Sequence, residues 1–409
     1  MRRSCVALIM LLSLGVPRAA FAEPPSEYAD LYALLDQRLT AADRVLSSRW
    51  NGERFPVVFA AELLAANGNQ GERLLTEETW QGVLVSLDRL QLLGVRGVKL
   101  AIVYPILLPG FPRSAEYLAF YKRLAEELRR RGLKILVGMG PAFKPSALGA
   151  LPVQSYYASL TFQRYKREKR QMAETIIREI RPDFLTIENE PHTAWENTGL
   201  PFTVANFTDV VRTVLDGLDR SGVLVGAGAG TWDALAYFES LARSTTVDYL
   251  DLHLYPINFD FLLDRPFRIA ELAERYGKRL ILGEAWLYKA RDWELLVPAL
   301  VTATELFSRD VFSFWEPLDV RFVEVVGKLA HVLRLELASF FWMRYFFGYI
   351  EYNAATKGLS ASELFSLANR AAAQNMLQDP PRLTRTGEAF HRLATEANAA
   401  RGRALSRAE

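Results

Sequence analysis

Seven short apolar segments recur along the chain, nearly all separated by longer amphipathic stretches, and this alternation narrows the folds open to it. Strands are expected over 56–61, 97–104, 134–138, 184–190, 223–227, 249–255 and 278–284. Helical periodicity fills the intervals at 77–93, 114–131, 165–180, 204–220, 231–244 and 269–276. Strand and helix in this order make parallel strands covered by helices. Seven strands ask for an eighth, and closure then gives an α/β fold, a (β/α)8 barrel with loop and helix insertions, rather than an open sheet. The eighth strand falls either at 311–315, before Glu316-Pro317, or at 339–347, which holds the aromatic run from Phe340 to Phe347. The second choice is preferred because it leaves less chain outside the barrel. It makes 316–335 an enlarged loop-and-helix insertion and 361–377 and 386–395 the closing helices.

The N-terminus has a different character. Met1, Arg2 and Arg3 precede a mostly apolar run, and Ala20-Phe21-Ala22 puts small residues at the cleavage-determining positions. This is the layout of a signal peptide over 1–22, with an apolar run too short to span a bilayer. The expectation is a secreted or periplasmic protein, with 23–409 as a single domain and no stable membrane insertion after cleavage. Cys5 is the only cysteine. The mature chain then forms no disulfide and has neither a thiol nucleophile nor a cysteine metal site. The whole chain carries a formal charge of +2, and losing Arg2, Arg3 and Arg18 brings it close to neutral. That balance gives no ground for a nucleic-acid partner. The basic run from Arg164 to Arg170 reads as a solvated helix face. Nothing in the sequence sets an oligomeric state.

The strongest chemical signal is Phe184-Leu185-Thr186-Ile187-Glu188-Asn189-Glu190-Pro191-His192. Carboxylates and an amide are costly to bury without partners, so packing does not explain an apolar strand that ends in Glu-Asn-Glu-Pro. Pro191 disfavours a helical Glu190 and interrupts the strand's hydrogen-bond row. These polar groups therefore belong at the C-terminal mouth of a barrel, where active sites form. Leu280-Ile281-Leu282-Gly283-Glu284-Ala285-Trp286 repeats the pattern, an apolar run ending in one acid. Gly283 allows close backbone or ligand approach, and Trp286 offers a flat face to a sugar ring. By count these are strands four and seven, whose ends a barrel brings to one cleft. Two facing carboxyl groups, one protonated and one ionised, can cleave an acetal. A separation of about 5–5.5 Å favours a covalent intermediate and retention, and about 6.5–9.5 Å leaves room for water and inversion.

Asn189-Glu190-Pro191 ending strand four, with Glu284 ending strand seven, resembles the retaining (β/α)8 glycoside hydrolases, which include cellulases, mannanases and endo-galactanases. The resemblance covers roughly residues 50 to 395. It implies that Glu190 is the acid/base, that Glu284 is the nucleophile and that Asn189 meets the sugar 2-hydroxyl. It implies a β-linked polysaccharide or oligosaccharide as substrate and retention of configuration. His253 and Tyr255, in Leu250-Asp251-Leu252-His253-Leu254-Tyr255-Pro256, share one strand face. In this setting Tyr255 would hold Glu284 ionised by a hydrogen bond, and His253 would bind sugar hydroxyls. His192, Trp315 and Trp342 complete the expected substrate-binding set. Glu62, Lys99, Tyr104, Trp195, Trp232 and Asp233 are further candidates near the rim or at strand ends; Lys99 either pairs with Glu188 inside the barrel or is a solvated or peripheral lysine.

Other chemistries fit poorly. The four histidines, His192, His253, His331 and His391, show no metal-ligand spacing. The Gly226-Ala227-Gly228-Ala229-Gly230 run lacks the Lys-Ser/Thr ending of a phosphate loop, and there is no nucleophile elbow. No metal or cofactor is required. A non-catalytic carbohydrate-binding barrel, or a transglycosylase using the same glutamates, remains the alternative.

Overall fold

The computed structural model describes residues 23–144, 151–297 and 302–405, so the expected signal peptide over 1–22 lies outside the described residues. Eight parallel strands close into a barrel: β1 Val58–Glu62, β2 Gly97–Ala101, β3 Lys134–Gly138, β4 Phe184–Thr186, β5 Leu224–Gly230, β6 Tyr249–Leu254, β7 Arg279–Ala285 and β8 Leu337–Phe340. The last strand seals the first, with Val58 opposite Leu337 and Ala61 opposite Phe340. The eighth strand therefore starts two residues before the preferred segment, and the aromatic run leaves the sheet at once. Met343–Phe346 forms a 3-10 turn. The other candidate is no strand: Ser313–Trp315 is also a 3-10 turn.

The helices are α1 Ala29–Arg49, α2 Glu77–Leu92, α3 Ser114–Arg130, α4 Val153–Tyr157, α5 Phe162–Glu179, α6 Pro191–Thr198, α7 Val204–Leu215, α8 Leu235–Ser244, α9 Arg265–Arg275, α10 Asp292–Leu296, α11 Ala303–Arg309, α12 Glu316–Val332, α13 Ala361–Met376 and α14 Arg385–Leu405. One helix precedes the first strand and escaped the strand–helix alternation. In α1, Leu31, Leu35, Leu39, Ala42 and Leu46 recur at helical spacing and are fully buried, forming the apolar stripe of an amphipathic helix. It packs on α12, where Lys328 Nζ reaches Asp43 at 2.6 Å. Each buried leucine contributes about 1.5–3 kcal/mol relative to exposure. That outweighs an exposed ion pair of about 0–1 kcal/mol, so the stripe rather than the charges holds α1 in place. Among the described residues no helix is long and apolar enough to cross a membrane.

The barrel interior has an apolar floor of Val58, Ala60, Leu136, Phe184, Tyr249, Ile281 and Leu337. Above it the inward positions turn polar, with Glu62, Lys99, Thr186, Asp251, His253 and Glu284 all buried at or near the strand ends. The Gly/Ala run of β5 explains how these fit. A Cβ on Gly226 would lie 2.3 Å from the Tyr249 ring, and one on Gly228 would lie 1.6 Å from the Asp251 carbonyl oxygen. The alternating Ala227 and Ala229 belong to the main core. The run serves close packing of β5 against β6.

Candidate active site

Two backbone irregularities aim the glutamates. Between β6 and β7, Leu252 pairs with Leu282 but His253 pairs with Glu284, so Gly283 is an extra residue. Such a bulge re-aims the side chain that follows it. Gly283 N–H donates to Asp251 Oδ1 at 2.8 Å, and Glu284 turns into the mouth. On the opposite side β4 ends at Thr186, and the chain bends at Ile187 and again at Asn189. Glu190 then stands immediately before α6, whose first residue is Pro191, a favoured place for proline.

The bends separate Glu188 from Glu190. Glu188 points away from the mouth towards α5. There it lies 2.9 Å from Lys169 Nζ and accepts the Tyr165 hydroxyl, with both charged groups fully buried. The expected Glu188–Lys99 pair is therefore corrected. Strict alternation had put Glu188 and Glu190 on one face, and the bend at Ile187 breaks that parity. Burial lifts the Glu188 carboxyl above its ordinary range against the pull of Lys169.

Lys99 serves the mouth instead. Its ammonium donates to Glu284 Oε1 and lies 3.4 Å from Glu62 Oε2. Tyr255 donates its hydroxyl to Glu284 Oε2 at 2.5 Å. Both Glu284 oxygens thus face donors, an arrangement that favours the ionised form. Gly138 makes room, since a Cβ there would stand 3.3 Å from Lys99 Cε. Glu62 Oε1 accepts from Asn67 Nδ2 at 2.9 Å. Asn67 caps the following turn through Asn69, whose side-chain oxygen accepts Phe143 N–H at 2.7 Å. This chain of contacts ties the loop after β1 to the loop after β3.

Glu190 is held by different partners. His253 Nδ1 lies 2.7 Å from its Oε1, and Thr193 donates to its Oε2 at 2.6 Å. Burial, the largest influence, pushes its pKa up. The His253 bond and charge, the Thr193 hydroxyl and Lys99 together bring it below the ordinary value. His253 is fully buried, with Nδ1 also 3.4 Å from Glu284 Oε2. Its Nε2 lies 3.4 Å from Asn189 Nδ2. Nδ1, which faces the Glu190 oxygen, is the ring nitrogen that donates to it. Asp251 lies below, accepting from Gly283 and, at 2.7 Å, from Thr186. Its pKa is raised by burial, against His253, Lys99 and Thr186.

The structure brings Glu190, Glu284, Asn189, His253 and Tyr255 together and leaves the other expected contacts apart. His192 lies on α6, 59 % exposed and 3.2 Å from Glu196, outside the carboxylate cluster. Trp286 is 1 % exposed and packed by Tyr345 and Phe346. Trp315 is fully buried, stacked on Tyr32 of α1. Trp342 is closed in by Phe307, Phe341 and the Arg344 guanidinium. All three were expected to face substrate, and all three are buried among other side chains in this structure. Tyr104, another rim candidate, is buried and donates to Glu168. Aromatic surface near the carboxylates comes from Trp232, Tyr288 and Phe341, whose rings surround Tyr255, while Trp195 is exposed on α6. The ion-paired role of Glu62 and Lys99 escaped sequence reasoning. Its one signal was a lysine inside an apolar strand.

Glu190, His253 and Glu284 each present an atom within 4.8 Å of the others, close enough to hold a cation. Lys99 already supplies counter-charge to Glu284, however, and His253 Nδ1 is engaged by Glu190. The constellation suits two carboxyl groups working on a substrate between them.

No family model matches the chain, and no curated protein matches it. Solved structures share the fold. The chain is similar to the GH5_18 protein of Bifidobacterium longum subsp. longum in complex with Manb1-4GlcNAc, at 15 % identity and TM-score 0.50, covering 83 % of this chain and 78 % of that one. It is also similar to a glycoside hydrolase family 5 mannosidase from Rhizomucor miehei, at 11 % identity and TM-score 0.50, covering 86 % and 96 %.

Proposed function

We propose that this chain is a glycoside hydrolase that cleaves β-linked glycans with net retention, using Glu284 as nucleophile and Glu190 as acid/base. The observation that carries the proposal is the convergence of two carboxylates, Glu190 just beyond β4 and Glu284 on β7, each presenting an oxygen within 4.8 Å of the other. So close an approach supports the short carboxyl separation of double displacement, about 5–5.5 Å, over the wider gap of inversion.

The chemistry follows from the partners of each group. Glu284, braced by Lys99 and Tyr255, is the ionised carboxylate and attacks the anomeric carbon. Glu190 delivers its proton to the departing oxygen. A sugar seated over Glu190 removes its remaining 17 % side-chain exposure, which strengthens the upward push of burial, the direction an acid needs. Water then attacks the anomeric carbon while Glu190 takes its proton, and the bond to Glu284 breaks with its electron pair returning to that carboxylate. Asn189, beside His253, is placed to meet the 2-hydroxyl. The mannosidase and the Manb1-4GlcNAc complex among the structural neighbours make β-mannosides the first substrates to try. The leader-like N-terminus supports export to the periplasm or medium.

The test is proton NMR of the first-formed product from 4-nitrophenyl β-mannoside, β-glucoside and β-galactoside and from β-linked oligosaccharides. An initial β-anomer supports the proposal. An initial α-anomer, or no cleavage of any member by a folded protein, overturns it.

A further inference from the structure

Lys99 has more counter-charge than it needs. Its ammonium donates to Glu284 Oε1, which alone would balance it. A second carboxylate, Glu62, nevertheless stands 3.4 Å away, and both Lys99 and Glu62 are 1 % exposed. The facing oxygen, Glu62 Oε2, has no hydrogen-bond partner, while Oε1 is held by Asn67. A buried carboxylate with a free oxygen aimed at an already paired lysine costs stability in the resting protein.

The reaction gives that arrangement a use. In the first step a bond forms between Glu284 Oε and the anomeric carbon. The bond to the leaving oxygen breaks, its electron pair stays on that oxygen, and Glu190 supplies the proton. Glu284 becomes a neutral ester. Lys99, buried and charged, then loses its partner. We propose that Glu62 is the standing counter-charge to which Lys99 shifts while Glu284 is esterified, and from which it returns when water regenerates the carboxylate. Glu62 is thus a positioning residue acting through Lys99, and the inference rests on the double-displacement reading above. The short ammonium shift it requires leaves Asn67 and the loop behind it in place.

The expected signature is two changes of opposite sign. Glu62→Gln preserves the resting Lys99–Glu284 pair but removes compensation from the intermediate. Formation of the ester slows, and its hydrolysis quickens because Lys99 favours the departing carboxylate. Each change is expected at about tenfold, the size of one charge-assisted contact.

The experiment uses 2,4-dinitrophenyl 2-deoxy-2-fluoro-β-mannoside and the matching glucoside. Intact-mass spectrometry follows labelling, and recovery of the unlabelled mass after gel filtration follows hydrolysis. Slower labelling with faster recovery in Glu62→Gln supports the inference. Unchanged rates, or both steps slowed alike as for a purely structural defect, overturn it while the labelled wild type keeps the double-displacement reading intact. A wild type labelled by neither probe nor by the matching galactoside removes that reading and this inference with it. Glu62→Asp draws the charge back by one methylene. It gives the same pair of shifts at smaller size, so the question is still decided if Glu62→Gln does not fold.

Discussion

Replacing Gly283 with alanine tests whether the bulge in β7 is a close-packed device or incidental. The added Cβ would lie 2.3 Å from Asp251 Oδ1, 2.7 Å from Oδ2 and 2.8 Å from Cγ. Asp251 has little room to retreat, since Thr186 holds its other oxygen at 2.7 Å and the carboxyl is fully buried. Forcing atoms into such a site costs about 1–3 kcal/mol. Pushing the carboxyl off the Gly283 N–H, now 2.8 Å away, adds about 1–3 kcal/mol for a buried group left unpaired. The expected loss is therefore about 2–6 kcal/mol, a large part of a typical stability of about 5–15 kcal/mol. Gly82→Ala is the matched control. Gly82 lies inside α2 with nothing within 4 Å of its Cβ position, so there alanine gains about 0.5–1 kcal/mol. Urea unfolding followed by circular dichroism reads both through the midpoint at constant slope. A Gly283→Ala protein as stable as wild type would refute the reasoning, because the bulge would then tolerate the methyl group that the geometry forbids.

Lys169→Met is expected to cost about 3–5 kcal/mol by stranding buried Glu188, and adding Glu188→Gln to the same chain should recover much of it in the same urea assay. Asp233 carries a pH dependence: burial and the nearby Glu190 raise its pKa to about 7, against Gly230 N–H and Arg265. A carboxyl whose folded pKa exceeds its unfolded one stabilises fully below the unfolded value and loses that contribution as pH rises through the folded value. Asp233→Asn should therefore gain on wild type between pH 4 and pH 8. A midpoint difference that stays flat over that range would count against the assignment.

The barrel was legible in the sequence because each strand is a short apolar run between amphipathic stretches, and β3 fell at its expected bounds, 134–138. The site was legible where a polar residue interrupts that rhythm, as at Glu190, Glu284, His253 and Tyr255. Three kinds of feature were not. Backbone bends reverse face parity, which is why Glu188 was paired with the wrong lysine. Aromatic identity does not reveal whether a ring keeps an open face, and Trp286, Trp315 and Trp342 are covered by residues distant in sequence or by their own loop. The Lys99–Glu284 contact joins β2 to β7 and leaves no local trace. The α1 stripe, by contrast, is present in the leucine spacing but lies before the first strand, outside the strand–helix alternation.

The central claim is that Glu284 attacks and Glu190 moves the proton. Azide rescue of the two alanine variants tests it most directly, with an activated 2,4-dinitrophenyl β-glycoside that wild type cleaves. Glu284→Ala with azide should yield the α-glycosyl azide, because the anion takes the place of the missing nucleophile. Glu190→Ala should yield the β-glycosyl azide, because the glycosyl ester on Glu284 still forms. The reverse pattern, or β-azide from Glu284→Ala, would contradict the account.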